Sequence, residues 1–217
     1  MENRTKTKQE KFHKIFASIF EKELCDEILE IGIFDTINKG DYVIDIGDEL
    51  KYIPLLLQGA VKIIREDQHG EEILLYFLER GDTCAISFVN CINLKKSLFR
   101  GIAERNTEFI MIPVTKLEEW LVKYKSFRKF IIDSYHDRLI ELAKTIESLT
   151  FMKLDERLIK YLEAKVKIMR SRKLNISHQE IACDLHTSRV VVSRLLKTLE
   201  KRHKVELGRQ KIRVTNL

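Results

Sequence analysis

The sequence predicts an α+β chain: an antiparallel β-roll, then a long helix, then a winged helix-turn-helix. Three observations carry this. Seven of the eight glycines fall between Gly32 and Gly101, where they punctuate short apolar runs. Residues 102–207 contain no glycine, and apolar residues there take a helical period. Near the C-terminus, two helix-cap signatures stand one tight turn apart.

The roll comes first. Gly32, Gly40, Gly47, Gly59, Gly70, Gly81 and Gly101 supply the positive-φ positions that tight turns need. Between them lie runs rich in Ile, Val, Tyr, Phe and Leu, at 42–46, 52–57, 60–65, 73–78 and 109–113. Short strands at regular spacing, each followed by a turn, predict a small antiparallel barrel or roll. Residues 66–70 read as a hairpin loop.

The long helix follows. Ile132, Tyr135, Leu139, Leu142, Ile146 and Leu149 recur at alternating intervals of three and four. This is a heptad seam, with Asp137, Arg138, Glu141, Lys144 and Glu147 off the stripe. Such a seam packs on its own domain or on a partner helix, and its length favours the partner. These six residues are therefore the expected dimer interface. Asp155 reads as the N-cap of a new helix beginning at Glu156. The domains expected are 1–115, a roll with N-terminal helices; 116–149, a helical segment; and 150–217, the winged helix.

The winged helix carries the strongest local signals. Ser177 and Glu180 form a capping box for a helix that buries Ile181, Ala182 and Leu185. A turn at 184–187 leads to Ser188, which caps a second helix with an apolar stripe of Val192, Leu195, Leu196 and Leu199. Arg189, Val190, Ser193, Arg194 and Lys197 lie on its other side. A basic, hydroxyl-bearing face at the start of a second helix is what major-groove reading requires. Ser177, Gln179 and Ser188 stand beside it at the helix starts. Residues 205–214 alternate around Gly208 as a two-stranded wing, with Arg209, Lys211 and Arg213 placed for phosphates. Residues 150–217 hold 17 Lys/Arg against 7 Asp/Glu, while the rest of the chain is slightly acidic. Double-stranded DNA is the partner this asymmetry suggests.

Other classes fit poorly. No apolar run approaches the roughly 20 residues of a membrane span. The first eleven residues lack the apolar stretch of a secretory signal, so a cytoplasmic setting is expected. Cys25, Cys84, Cys91 and Cys183 form no C-x-x-C pair and are expected as free thiols, without metal or cofactor. There is no Gly-rich phosphate loop, no H-E-x-x-H and no G-x-S-x-G, so no enzyme is expected.

At these residues the chain resembles the Crp/Fnr family of bacterial regulators, over nearly its whole length. The most specific match is 177–200. The roll matches through Leu57-Gln58-Gly59-Ala60-Val61-Lys62, Gly70-Glu71-Glu72-Ile73-Leu74 and Gly81-Asp82. The resemblance implies a cyclic-nucleotide-binding-like roll of the double-stranded jelly-roll type, a dimerisation helix, and homodimers on palindromic promoter sites. It also implies a small-molecule effector, and RNA polymerase as the partner of members that activate.

Three departures bear on function. The family's cyclic-AMP cassette holds Gly-Glu where this chain has Ala85 and Ile86, and arginine where it has Lys96, beside Ser97. Lysine is a point charge and cannot clamp a phosphate bidentately, so cyclic AMP is not the expected effector. Ile73, Ala85, Ile86, Lys96 and Ser97 remain the effector-pocket candidates. The N-terminal cysteine cluster of oxygen-sensing members is absent. Arg189-Val190 replaces the common Arg-Glu, and His186 replaces the usual turn glycine. The alternatives are a cyclic-nucleotide receptor with an altered phosphate cassette, and a thiol redox sensor using Cys84 and Cys91.

Overall fold

The computed structural model describes residues 2–68, 70–84, 88 and 96–216. The chain divides into two compact units, residues 1–63 with 76–142 and residues 64–75 with 143–217.

The first unit opens with helices α1 (Glu2–Phe16) and α2 (Lys22–Ile31). Phe12, Phe16 and Phe20 recur every four residues and share one buried face. They meet Leu24 and Ile28 of α2, Trp120 of α3 (Leu117–Lys123), and Phe127 of the long α4 (Lys125–Phe151). Phe16 stacks on Phe20 at 5.4 Å and Trp120 meets Phe127 edge-on at 5.5 Å, while Phe12 tilts against Phe16. Glu27 at the surface of this cluster accepts from Trp120 Nε1 at 2.8 Å and Tyr124 OH at 2.5 Å, and pairs with Lys123. These donors, Lys123 first, hold its carboxyl down at about 2.

The roll has seven strands: β1 (Ile33–Ile37), β2 (Tyr42–Ile44), β3 (Tyr52–Gln58), β4 (Ala60–Glu66), β5 (Glu72–Glu79), β6 (Arg100–Ala103) and β7 (Thr107–Pro113). They form two sheets, ordered β1-β7-β3 and β2-β6-β4-β5. The predicted strand runs all appear, and the antiparallel roll is as the sequence predicted. Strands β1 and β6 were not expected. β1 buries little, and β6 contains Gly101, a poor strand former. That glycine sits in a close-packed place: a Cβ there would lie 3.3 Å from the Ile44 side chain and 3.4 Å from that of Val61.

The second unit holds α5 (Leu154–Met169), β8 (Lys173–Leu174), α6 (His178–Asp184), α7 (Arg189–Lys201), β9 (Val205–Gly208) and β10 (Lys211–Val214). Leu158, Leu162, Ile181, Ala182, Val192, Leu196, Val205 and Ile212 form its core. Two expectations are corrected. The α5 cap is Lys153, whose N–H donates to Glu156 at 3.3 Å, and Asp155 lies inside the first turn. The wing gains a third strand in the order β8-β10-β9, and its left-handed turn residue is Gln210, not Gly208. Among the described residues no helix is long and apolar enough to cross a membrane.

Candidate nucleic-acid interface

Local hydrogen bonds set the angle between α6 and α7. Ser177 Oγ accepts from Glu180 N at 3.1 Å, and Glu180 accepts from Ser177 N at 2.8 Å, which completes the capping box. α6 then closes in a Schellman turn. The N–H groups of His186 and Thr187 donate to the carbonyls of Cys183 and Ala182, with His186 at φ 51°. Ser188 Oγ caps α7 by accepting from Val191 N at 3.3 Å.

The buried side of α7 is Val192, Leu196 and Leu199. Its outer side gathers Arg189, Val190, Ser193, Arg194 and Lys197 around one surface recess. Val190 is 78% exposed. Ser193 is not free: its Oγ lies 2.8 Å from Nδ1 of His178 on α6. Burial, and secondarily the charge of Arg189, push the His178 imidazole pKa down. Gln179, on the exposed side of α6, donates to Cys183 Sγ at 3.5 Å. On the wing, Arg209, Lys211 and Arg213 are exposed, and Arg213 pairs with Glu206 at 3.2 Å.

The sequence reading missed what supports this turn from behind. Arg157 donates to the carbonyl of Leu185 at 2.8 Å, and Tyr161 OH donates to Asp184 at 2.7 Å. Lys165 lies 3.7 Å from the same carboxylate. Arg157, Tyr161 and Lys165 are four residues apart on α5, and that spacing was the available signal.

The roll encloses a cavity of about 550 Å³. Among the described residues its wall joins apolar side chains, with Ile44, Leu50, Val61, Ile63, Leu78 and Phe109, to a charged rim of Asp48, Glu49, Lys51 and Lys96. Cys84 also lines it. Ser97 is not in that lining; its buried hydroxyl donates to Phe99 O at 2.7 Å and accepts from Phe99 N at 3.2 Å. Ile73, on β5, is also absent from the lining. Ala85, Ile86 and Cys91 lie outside the described residues.

On α4 the predicted seam divides. Ile132, Leu139 and Ile146 are 61%, 65% and 64% exposed, at intervals of seven. Tyr135 and Leu142 are half-buried, with Tyr135 against the aromatic core, and the Leu149 side chain lies outside the description. Arg138, off the predicted seam, is buried. Its guanidinium lies 4.8 Å from the Tyr76 ring centroid, donates to Phe77 O at 3.2 Å and pairs with Glu141 at 2.6 Å.

Two family models match the chain: the cyclic nucleotide-binding domain over residues 34–124 and the Crp-like helix-turn-helix domain over 156–217. The chain is 23% identical over 207 residues to a global nitrogen regulator of Synechocystis, with 92% of this chain and 91% of that one aligned. A global nitrogen regulator of Nostoc is 23% identical over 189 residues, covering 84% and 85%. Among solved structures, a Crp/Fnr transcriptional regulator from Eubacterium rectale superposes with a TM-score of 0.77 at 22% identity, covering 92% of each chain. The c-di-GMP-responsive global regulator CLP of Xanthomonas campestris gives 0.76 at 17% identity, covering 91% of this chain and 100% of that one. A nucleotide-domain roll followed by a Crp-like reader identifies the chain as a member of the Crp/Fnr family, a DNA-binding transcription regulator.

Proposed function

We propose that the chain acts as a homodimer, in which α7 of each copy enters the major groove at one half of a two-fold promoter site. The outer face of α7 carries this reading. Val190 is bared among Arg189, Arg194 and Lys197, where it contributes nothing to the core. In a major groove it meets a thymine methyl, while arginine forks onto guanine O6 and N7. Ser177, Gln179 and Ser188 flank this face, and Arg209, Lys211 and Arg213 serve phosphates that position the reader. Copies pair through Ile132, Leu139 and Ile146 on α4. The functional division is sensor 1–115, dimer helix 116–149 and reader 150–217.

The sensor's effector is not cyclic AMP on this reading. The described part of the cavity wall carries many apolar side chains, and Lys96 offers a point charge in place of a guanidinium fork. CLP, a protein of similar fold, is c-di-GMP-responsive, so the fold itself does not prescribe cyclic AMP. The protein works in the cytoplasm without catalysis of its own, and meets RNA polymerase if it activates.

The test is fluorescence anisotropy of the full-length protein on intergenic DNA from upstream of its own gene, at two salt concentrations. Arg194→Ala loses about 1–3 kcal/mol of sequence discrimination, while Arg213→Ala weakens all sequences alike. Equal, salt-sensitive binding to every sequence by both wild type and Arg194→Ala overturns the base-reading assignment. Micromolar binding of cyclic AMP by calorimetry overturns the effector reading.

A further inference from the structure

The base-facing side of α7 carries one hydroxyl whose partner lies on the neighbouring helix. Ser193 Oγ stands 2.8 Å from Nδ1 of His178, the first residue of α6, and both side chains are half-buried. A serine hydroxyl has one proton and two lone pairs. The bond to His178 consumes one of these, so it decides what Ser193 has left to offer a base.

The state of the imidazole fixes which one. Burial and the neighbouring Arg189 charge both disfavour the imidazolium, so one ring nitrogen keeps a lone pair. With the proton on Nε2, the tautomer that histidine in a peptide favours, Nδ1 is an acceptor. The Ser193 proton is then spent inward, and only its lone pairs face outward. In the major groove, lone pairs match the amino groups of adenine N6 and cytosine N4 and oppose the carbonyls of guanine and thymine.

We propose that His178 is a positioning residue that turns Ser193 into an acceptor-only reader, selecting an amino-bearing base, adenine or cytosine, at one position of each half-site. This rests on the reading of α7 as the base-reading helix.

Selection from a pool of randomised duplex DNA tests it, with the full-length wild type beside His178→Ala, His178→Asn, His178→Gln, Ser193→Ala and Arg194→Ala. The wild type prefers adenine or cytosine at one position. Ser193→Ala and His178→Ala each lower that preference roughly 3- to 10-fold, the size of one neutral hydrogen bond. The double variant falls no further. His178→Asn, whose amide reaches the place of Nδ1, keeps the preference. His178→Gln, whose amide reaches the place of Nε2, loses it while still carrying a polar side chain. The assignment is overturned if His178→Ala leaves unchanged the position that Ser193→Ala moves, or if the base preferred there is guanine or thymine. Arg194→Ala separates the two failures. If it moves its own base position while His178→Ala moves none, only the role of His178 falls; if it merely weakens all binding, the base-reading role of α7 falls and this inference with it.

Discussion

The Tyr161 hydroxyl on α5 donates a 2.7 Å hydrogen bond to Oδ2 of Asp184, the last residue of α6, and Lys165 approaches the same oxygen at 3.7 Å. Lys165 and Asp184 are both buried. Breaking such a pair from one side leaves a buried charge without its counter-ion. Asp184→Ala is therefore expected to lose about 3–5 kcal/mol. Tyr161→Phe, which removes one bond to a charged acceptor, loses about 1.5–3 kcal/mol. Replacing both ions, as Lys165→Met with Asp184→Leu, recovers most of the loss. Calorimetric melting of the full-length protein checks all three. A double variant as unstable as Asp184→Ala would show that the cost is steric and not ionic.

Gly59 joins β3 to β4 at φ +106°, and a Cβ there would lie 2.4 Å from Thr107 Oγ1 and 2.6 Å from Thr107 Cα. Gly40 has a similar φ of +90° with nothing within 4 Å. Gly40→Ala thus carries only backbone strain, roughly 1–3 kcal/mol. Gly59→Ala carries that strain plus overpacking of about 1–3 kcal/mol. Denaturant midpoints should place Gly59→Ala clearly below Gly40→Ala. Equal midpoints mean that β7 yields at Thr107.

The legible parts of this molecule are those whose interactions close within a few residues. The capping box at Ser177 and the simple cap at Ser188 each span three residues, and both form where the sequence places them. Gly40, Gly47, Gly59, Gly70 and Gly81 take the positive φ expected of turn glycines, as does His186 in its left-handed position, whereas Gly32 and Gly101 do not. The Asp155 cap failed by two residues because the helix starts at Leu154, where Glu156 reaches back to accept from the Lys153 N–H. What escaped is non-local. Tyr161 and Asp184 are 23 residues apart, and His178 and Ser193 are 15 apart. The spacing on α5 marks Tyr161 and Lys165 as sharing a face, but names neither Asp184 as their partner nor His178 as that of Ser193. Arg138 escaped for a related reason: its place beside charged residues on α4 suggests solvent, and only the roll's Tyr76 and Phe77 reveal the burial.

Glu27 gives the first unit a pH dependence with a definite sign. Its carboxyl is held at about 2 against an ordinary 4.5. As pH falls below 4.5 the unfolded chain takes up the proton first, so the stabilisation is complete above 4.5 and is lost as pH drops toward 2. Glu27→Gln removes this slope while keeping an acceptor for the Trp120 indole. Trp120 is the single tryptophan of the chain, so its fluorescence during urea unfolding reports this cluster. Parallel stability curves for wild type and variant across that pH range would show that Glu27 does not titrate in the fold as described.

The apolar row of α4 makes the dimer testable apart from the fold. Leu139 is 65% exposed, and Ile132 and Ile146 lie one heptad to either side. An exposed position tolerates substitution within about 0.5 kcal/mol of fold stability, so Leu139→Glu leaves the protomer folded. In a paired seam the same change sets two carboxylates in an apolar interface. Sedimentation velocity is expected to find a dimer for the wild type and a monomer for Leu139→Glu at equal concentration. DNA affinity then falls by roughly 10²- to 10⁴-fold, because the second half-site is no longer held at high effective concentration. The two readouts must move together. A monomer that keeps full affinity means that α7 reads single half-sites, and a variant that stays dimeric moves the interface off α4.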